Sequence, residues 1–91
     1  MQIARRYLIR GEVQGVGFRY FAQRSAARHQ VHGYVKNLDD GSVEAFAQGP
    51  ENSVKDFMED LAAGPAHSRV SDMEETVVEP ERAYSSFRIE R

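Results

Sequence analysis

The sequence predicts a single α+β domain in which two helices pack on one face of a mostly antiparallel β-sheet. The chain has 91 residues, too few for two ordinary domains. Its hydrophobic periodicity changes several times between about 2 and about 3.6 residues, the periods of strands and helices. Hydrophobic side chains make up 41% of the residues, an ordinary globular content. A domain this small has room for one core of two layers, so any active site should be a surface loop or a shallow cleft.

The first predicted elements are a strand and a helix joined by a glycine loop. Residues 3–13 alternate between mostly apolar and polar positions, which is typical of a strand with one covered face. Residues 14–17 interrupt this alternation with two glycines. Apolar and small side chains then recur at helical spacing from Phe18 to near His29 or Gln30, which predicts an amphipathic helix.

A β-hairpin is predicted next. Residues 31–38 alternate again, and an Asp-Asp-Gly sequence at 39–41 favours a tight turn. Residues 42–48 then form the return strand, antiparallel to the one before it.

The last third of the chain predicts a helix and two strands. A Gly-Pro pair at 49–50 opens the second helix, and another at 64–65 ends it. A fourth strand is expected over residues 69–79, and residues 86–90 favour a short edge strand. No linker or repeat interrupts the pattern, so residues 1–91 are interpreted as one domain.

The order β-α-β-β-α-β is that of the ferredoxin-like, or split βαβ, arrangement. In that topology the first two strands are parallel, and the third lies between them. The carboxyl ends of strands one and two therefore lie at one edge of the sheet, about 10 Å apart. We expect the loop after Val13 to converge there with Asn37.

The charge is strongly asymmetric along the chain. The net charge is −2. Residues 1–37 carry seven basic side chains and one acidic side chain, a balance of +6, whereas residues 38–91 carry five basic and 13 acidic side chains, a balance of −8. Such an imbalance indicates an anionic partner near the basic half, for example a nucleic acid or a phosphorylated small molecule.

Several classes of site are excluded or disfavoured. The chain has no cysteine, which excludes disulfides, thiolate catalysis and cysteine-ligated metals. The three histidines show no metal-ligand spacing, so neither a metal nor a cofactor is expected. No apolar run approaches the length of a membrane span, and Arg5 and Arg6 stand where a signal peptide would be hydrophobic. These observations predict a cytoplasmic protein.

The segment from Gly11 to Arg19 combines three features that attract anions. Gly15 and Gly17 allow backbone N–H groups to point into a common nest. The helix that follows brings unpaired N–H groups and a partial positive charge, and Arg19 adds a multidentate donor. The alternative is a tight turn followed by a solvated arginine. Against it, a cation in the first helical turn costs roughly 0.3 to 1 kcal/mol unless an anion is bound.

These residues resemble the acylphosphatase family. The similarity includes Gly-Glu-Val-Gln-Gly-Val-Gly-Phe-Arg at 11–19, Gly-Tyr-Val-Lys-Asn at 33–37 and Asp-Gly-Ser-Val-Glu at 40–44, and it continues through both Gly-Pro pairs to Ser68-Arg69-Val70. It covers essentially the whole chain. The resemblance implies a ferredoxin-like fold and metal-independent hydrolysis of the carboxyl–phosphate bond of acyl phosphates.

The resemblance also implies the roles of individual residues. Arg19 binds the phosphoryl group, and Asn37 holds the attacking water. The phosphate cradle is formed by the backbone N–H groups of Gln14, Gly15, Val16, Gly17 and Phe18. The expected substrate is a small acyl phosphate, and we expect a monomer with no nucleic-acid or membrane partner.

Two other functions remain open on the sequence alone. One is a phosphate- or carbamoyl phosphate-binding module that uses the same cradle without hydrolysis, including a domain of a larger carbamoyl-transfer protein. The other is an RNA-binding sheet, in which bases would stack on Tyr7 and Phe46 of the central strands. Asn37 could equally be a strand-end residue that leads into the turn, and Asp39 and Asp40 fit ordinary turn chemistry better than an acid/base pair.

Overall fold

The computed structural model describes all 91 residues and confirms the predicted order of elements. A five-stranded sheet carries two helices on one face, with strand order β4-β1-β3-β2-β5. The elements are β1 (Gln2–Glu12), α1 (Phe18–His29), β2 (His32–Asn37), β3 (Val43–Pro50), α2 (Glu51–Ala63), β4 (Arg69–Val78) and β5 (Phe87–Glu90). Every neighbouring pair is antiparallel except β2 and β5, which are parallel.

The predicted Gly-Pro pair opens the second helix, with Pro50 as the N-cap residue of α2. Pro50 does not lie in the first turn of α2, because its backbone is extended (φ −57°, ψ 146°). It ends β3, opposite Gln2 of β1, and α2 begins at Glu51. Proline has no N–H to donate to a ladder, and the end of a strand is a position where that loss costs little.

The core lies between the sheet and the helices. Alternate residues of the strands face the helices, as the period of two requires. Tyr7 is fully buried there and packs on Phe57 of α2, with ring centroids 6.5 Å apart. The other large, fully buried side chains include Ile9, Val35, Val43, Phe18, Val54 and Leu61.

A carboxylate joins the two helices. Asp60 of α2 accepts hydrogen bonds from Ser25 Oγ (2.6 Å) and Arg28 Nη2 (3.0 Å), and His29 Nε2 lies 3.0 Å from the same oxygen. Arg28 and His29 lie three and four residues after Ser25, so both share a face of α1 with it. Arg28 and His29 therefore contact α2 directly through Asp60.

The opposite face of the sheet is crossed by residues 79–86, which connect the two edge strands. Gln48 holds this segment with two hydrogen bonds to the backbone of Glu81, of 2.7 and 2.6 Å. Tyr84 packs on Phe46 and Tyr34, with centroids 5.4 and 5.7 Å apart. Phe46 is consequently only 2% exposed. Tyr7 is buried on the other face, so neither aromatic is placed to stack on bases as in an RNA-binding sheet.

Neither helix has the length and apolar character needed to cross a membrane.

Candidate active site

A shallow cleft of about 250 Å³ opens where the ends of β1, β2 and β5 meet the start of α1. Five of the seven predicted site residues line it, so the expected convergence of the glycine loop with Asn37 is found. The lining residues are Val13, Gly15, Gly17, Phe18, Arg19, Tyr20, Asn37, Ile89 and Arg91. None of these side chains is acidic. Gln14 and Val16 lie outside the lining, and Val16 packs against the hydrophobic core.

The glycine loop adopts the conformation that the nest hypothesis requires. Gly15 and Gly17 have φ values of 75° and 78°, in the left-handed region that side chains disfavour. An added Cβ would meet no atom within 4 Å at either position, so the requirement for glycine comes from backbone conformation and not from crowding.

The start of α1 is left open toward the cleft. Gly17 is the N-cap residue, no side chain caps the helix, and the first turn contains no acidic residue. The first N–H groups of a helix have no partner within the helix. They therefore remain available to an anion, and the helix dipole adds a partial positive charge at the same point.

Arg19 lies in this first turn and is half-buried. It takes part in none of the ion pairs of the structure. No carboxylate of the protein therefore offsets the unfavourable position of this guanidinium near the helix N-terminus, and an anionic ligand in the cleft would do so.

Asn37 is the last residue of β2, paired with Val43 of β3. Its side-chain oxygen Oδ1 is buried and accepts no hydrogen bond from the protein. An unsatisfied buried acceptor costs about 1 to 3 kcal/mol of folding free energy, which a residue that only leads into a turn would not explain. Asn37 also lines the cleft, so its side-chain amide lies close to any ligand bound there.

Gln14 has a role that the sequence reasoning missed. Its side-chain Nε2 donates to the carbonyl oxygens of Leu38 and Ser42, both at 2.8 Å. These bonds tie the glycine loop to the β2–β3 hairpin and fix the distance between the loop and Asn37. A glutamine at the end of a strand gives no local indication of a partner 24 residues away.

The turn of the hairpin does not provide an acid/base pair. Asp40 Oδ1 accepts hydrogen bonds from the hydroxyl and the backbone N–H of Ser42, at 2.5 and 2.9 Å. These bonds lower the pKa of Asp40, so it stays ionised and stabilises the turn. The structure also contains no group of three or more histidine and acidic side chains that could hold a metal ion.

Four lining residues lie outside the predicted site: Val13, Tyr20, Ile89 and Arg91. The last two follow from the position of β5, which pairs in parallel with β2. Parallel strands end at the same edge of a sheet, so the end of β5 lies beside Asn37. The sequence favoured an edge strand here but did not indicate which edge of the sheet it would join.

The chain is similar to known proteins in both sequence and structure. A family model described as Acylphosphatase matches residues 5–89. The chain belongs to the acylphosphatase family. A relative named as an acylphosphatase in Bacillus velezensis is 51% identical over 81 residues, which are 87% of this chain and 88% of the relative. The acylphosphatase of Moorella thermoacetica is 46% identical over 83 residues, 91% of this chain and 88% of the relative.

A solved acylphosphatase structure agrees with the fold. The crystal structure of acylphosphatase from Bacillus subtilis superposes with a TM-score of 0.93 at 40% sequence identity, covering 98% of this chain and 99% of that one. The resemblance found in the sequence is therefore confirmed, as is the ferredoxin-like architecture. The chain is an enzyme of the acylphosphatase family.

Proposed function

We propose that the cleft hydrolyses the carboxyl–phosphate bond of small acyl phosphates and that Arg19 and Asn37 are its catalytic residues. The observation that carries the proposal is the meeting of two groups without protein partners in one cleft: a half-buried Arg19 guanidinium and the buried Oδ1 of Asn37. The first suits a phosphoryl group, and the second suits a water.

The phosphoryl group would bind at the start of α1. Backbone N–H groups of residues 14–18 and the guanidinium of Arg19 would donate to its three non-bridging oxygens. Phosphoryl transfer passes through a loose transition state with charge on these oxygens, so positioned donors supply most of the catalysis. No strong general base is required.

Asn37 would place the nucleophile. Its side-chain amide would hydrogen-bond to a water and direct the water oxygen toward phosphorus. A bond forms between that oxygen and phosphorus as the bond from phosphorus to the acyl oxygen breaks. The acyl group leaves as a carboxylate, a good leaving group, and the water proton passes to solvent or to the phosphate product.

The remaining parts of the proposal concern cofactor, partners and location. The enzyme would need no metal or cofactor, because Arg19 and the backbone amides supply the positive charge. It would act as a cytoplasmic monomer without a nucleic-acid or membrane partner. Residues 38–91 carry 13 acidic and five basic side chains, and this negative balance supports the absence of a nucleic-acid partner because it repels polyanions. Light scattering coupled to gel filtration measures the molar mass in solution and so tests whether the protein is a monomer.

The reaction is tested by following acetyl or benzoyl phosphate in excess chelator, with p-nitrophenyl phosphate as control. We expect hydrolysis of the acyl phosphates at an unchanged rate and little hydrolysis of the control. A requirement for a divalent metal, or equal rates on both kinds of substrate, would overturn the mechanism.

A further inference from the structure

The cleft has an outer part that the phosphate chemistry leaves unused. Its inner part includes the buried Phe18 and the half-buried Arg19 and Asn37, beside the exposed Gly15 and Gly17. The outer part is formed by Tyr20, which is 61% exposed, Ile89, which is 37% exposed, and the exposed Arg91. A phosphoryl group bound at the inner end leaves the acyl group pointing to this outer end.

The strand pairing explains why Ile89 and Arg91 reach the mouth. The parallel register pairs Val35 with Ile89 and Lys36 with Glu90, and Arg91 follows directly and lines the same cleft as Asn37. Phe87, Ile89 and Arg91 lie on the same face of the chain because side chains alternate along a strand. Phe87 packs on Phe57 in the core, with centroids 5.4 Å apart, so this face is the helix side.

The chemistry of the outer part is apolar and cationic. Tyr20 and Ile89 are two of only four large hydrophobic side chains that are exposed on the whole molecule. Arg91 makes no ion pair with an acidic side chain.

We propose that Tyr20, Ile89 and Arg91 form the acyl-binding end of the cleft, and that Arg91 favours acyl groups bearing a carboxylate. Tyr20 and Ile89 contact the carbon chain, and the guanidinium of Arg91 pairs with a carboxylate at its far end. This inference rests on the proposed function, since it assigns the second half of the same substrate.

Two substrates of matched length test the proposal: butanoyl phosphate, which ends in a methyl group, and succinyl phosphate, which ends in a carboxylate. In Arg91→Gln we expect kcat/KM to fall about fivefold for succinyl phosphate, the upper range for an exposed ion pair, with butanoyl phosphate little affected. The loss should appear in KM, because the contact is equally strong in ground and transition states. Arg91→Lys should restore most of the preference, and added salt should weaken it in the wild type.

Arg88→Gln is the matched control. Arg88 is on the same strand but faces the other side of the sheet, where its guanidinium lies 5.0 Å from the centre of the Tyr84 ring. This variant should leave the ratio of the two substrates unchanged. The inhibition constant of inorganic phosphate should be unchanged in both variants.

The outcomes separate this inference from the proposed function. Equal losses on both substrates, together with weaker inhibition by phosphate, would place Arg91 on the phosphoryl group and overturn the proposal. So would an unchanged substrate ratio in a folded Arg91→Gln enzyme. If the wild type hydrolyses neither acyl phosphate, the proposed function itself fails.

Discussion

Removal of the Gln14 side chain tests how the glycine loop is held against Asn37. Gln14→Ala deletes two hydrogen bonds of 2.8 Å to the carbonyl oxygens of Leu38 and Ser42. Each such bond contributes about 0.5 to 1.5 kcal/mol. Both carbonyls keep another partner, because Gly41 N–H donates to Leu38 and Leu38 N–H donates to Ser42. We therefore expect a loss in the lower part of the range, about 1 to 2 kcal/mol in the free energy of unfolding.

The loss should be visible in both stability and activity. For a domain of this length the change corresponds to a decrease in Tm of roughly 5 to 15 °C. The loop also loses its fixed distance to Asn37, and a displacement of about 1 Å in a catalytic site can cost about 100-fold in rate. We expect kcat/KM for benzoyl phosphate to fall about 10- to 100-fold at a temperature where the variant is folded.

Gln48→Ala provides a control with the same residue type and the same number of bonds. Its two hydrogen bonds to Glu81 lie on the opposite face of the sheet. This variant should lose some stability and keep its kcat/KM. A folded Gln14→Ala enzyme with wild-type Tm and kcat/KM would refute the reasoning, as would an equal loss of activity in Gln48→Ala.

Three further predictions follow from the structure. Asn37→Ala should lower kcat on benzoyl phosphate by about 100-fold or more but leave the inhibition constant of inorganic phosphate nearly unchanged; the opposite pattern would make Asn37 a binding residue only. Gly17→Ala should destabilise the protein by about 1 to 2 kcal/mol, because φ of 78° disfavours a side chain; chemical denaturation measures this, and an unchanged midpoint would contradict it. Burial raises the pKa of Asp60, but hydrogen bonds from α1 outweigh this effect and lower it. The ionised Asp60 therefore stabilises the fold above the ordinary carboxyl pKa, and this stabilisation is lost as the pH falls through the lowered pKa of the folded state. Asp60→Asn should consequently show a flatter dependence of Tm on pH below about 5 than the wild type. Parallel curves for the two proteins would show that Asp60 does not stabilise the fold in this way.

Much of the fold could be predicted because local sequence and topology agree. The alternation in β1 and β3, the helical spacing after Phe18 and the Asp-Asp-Gly turn each specify an element without distant information. The β-α-β-β-α-β order then restricts the sheet to a topology in which the ends of β1 and β2 meet. That restriction predicts that the glycine loop and Asn37 lie at the same edge of the sheet.

The parts that could not be predicted depend on contacts distant in the chain. The side chain of Gln14 finds its partners in the hairpin, and Asp60 gathers donors from α1. The placement of β5 beside β2, which brings Arg91 to the cleft, depends on residues 79–86 crossing the open face of the sheet. No periodicity within those eight residues indicates that path. A Gly-Pro pair suits a strand end as well as a helix start, and Pro50 is both the last residue of β3 and the N-cap of α2.

The central claim, that Arg19 stabilises the transferring phosphoryl group, is tested most directly by kcat of Arg19→Ala on benzoyl phosphate. A charge-stabilising arginine in phosphoryl transfer contributes about 10³- to 10⁵-fold, so we predict a loss of at least about 10³-fold, or about 4 kcal/mol. The exposed Arg24 of the same helix gives the control, since Arg24→Ala should change kcat less than about twofold. A folded Arg19→Ala enzyme that hydrolyses benzoyl phosphate at the wild-type rate would contradict the account.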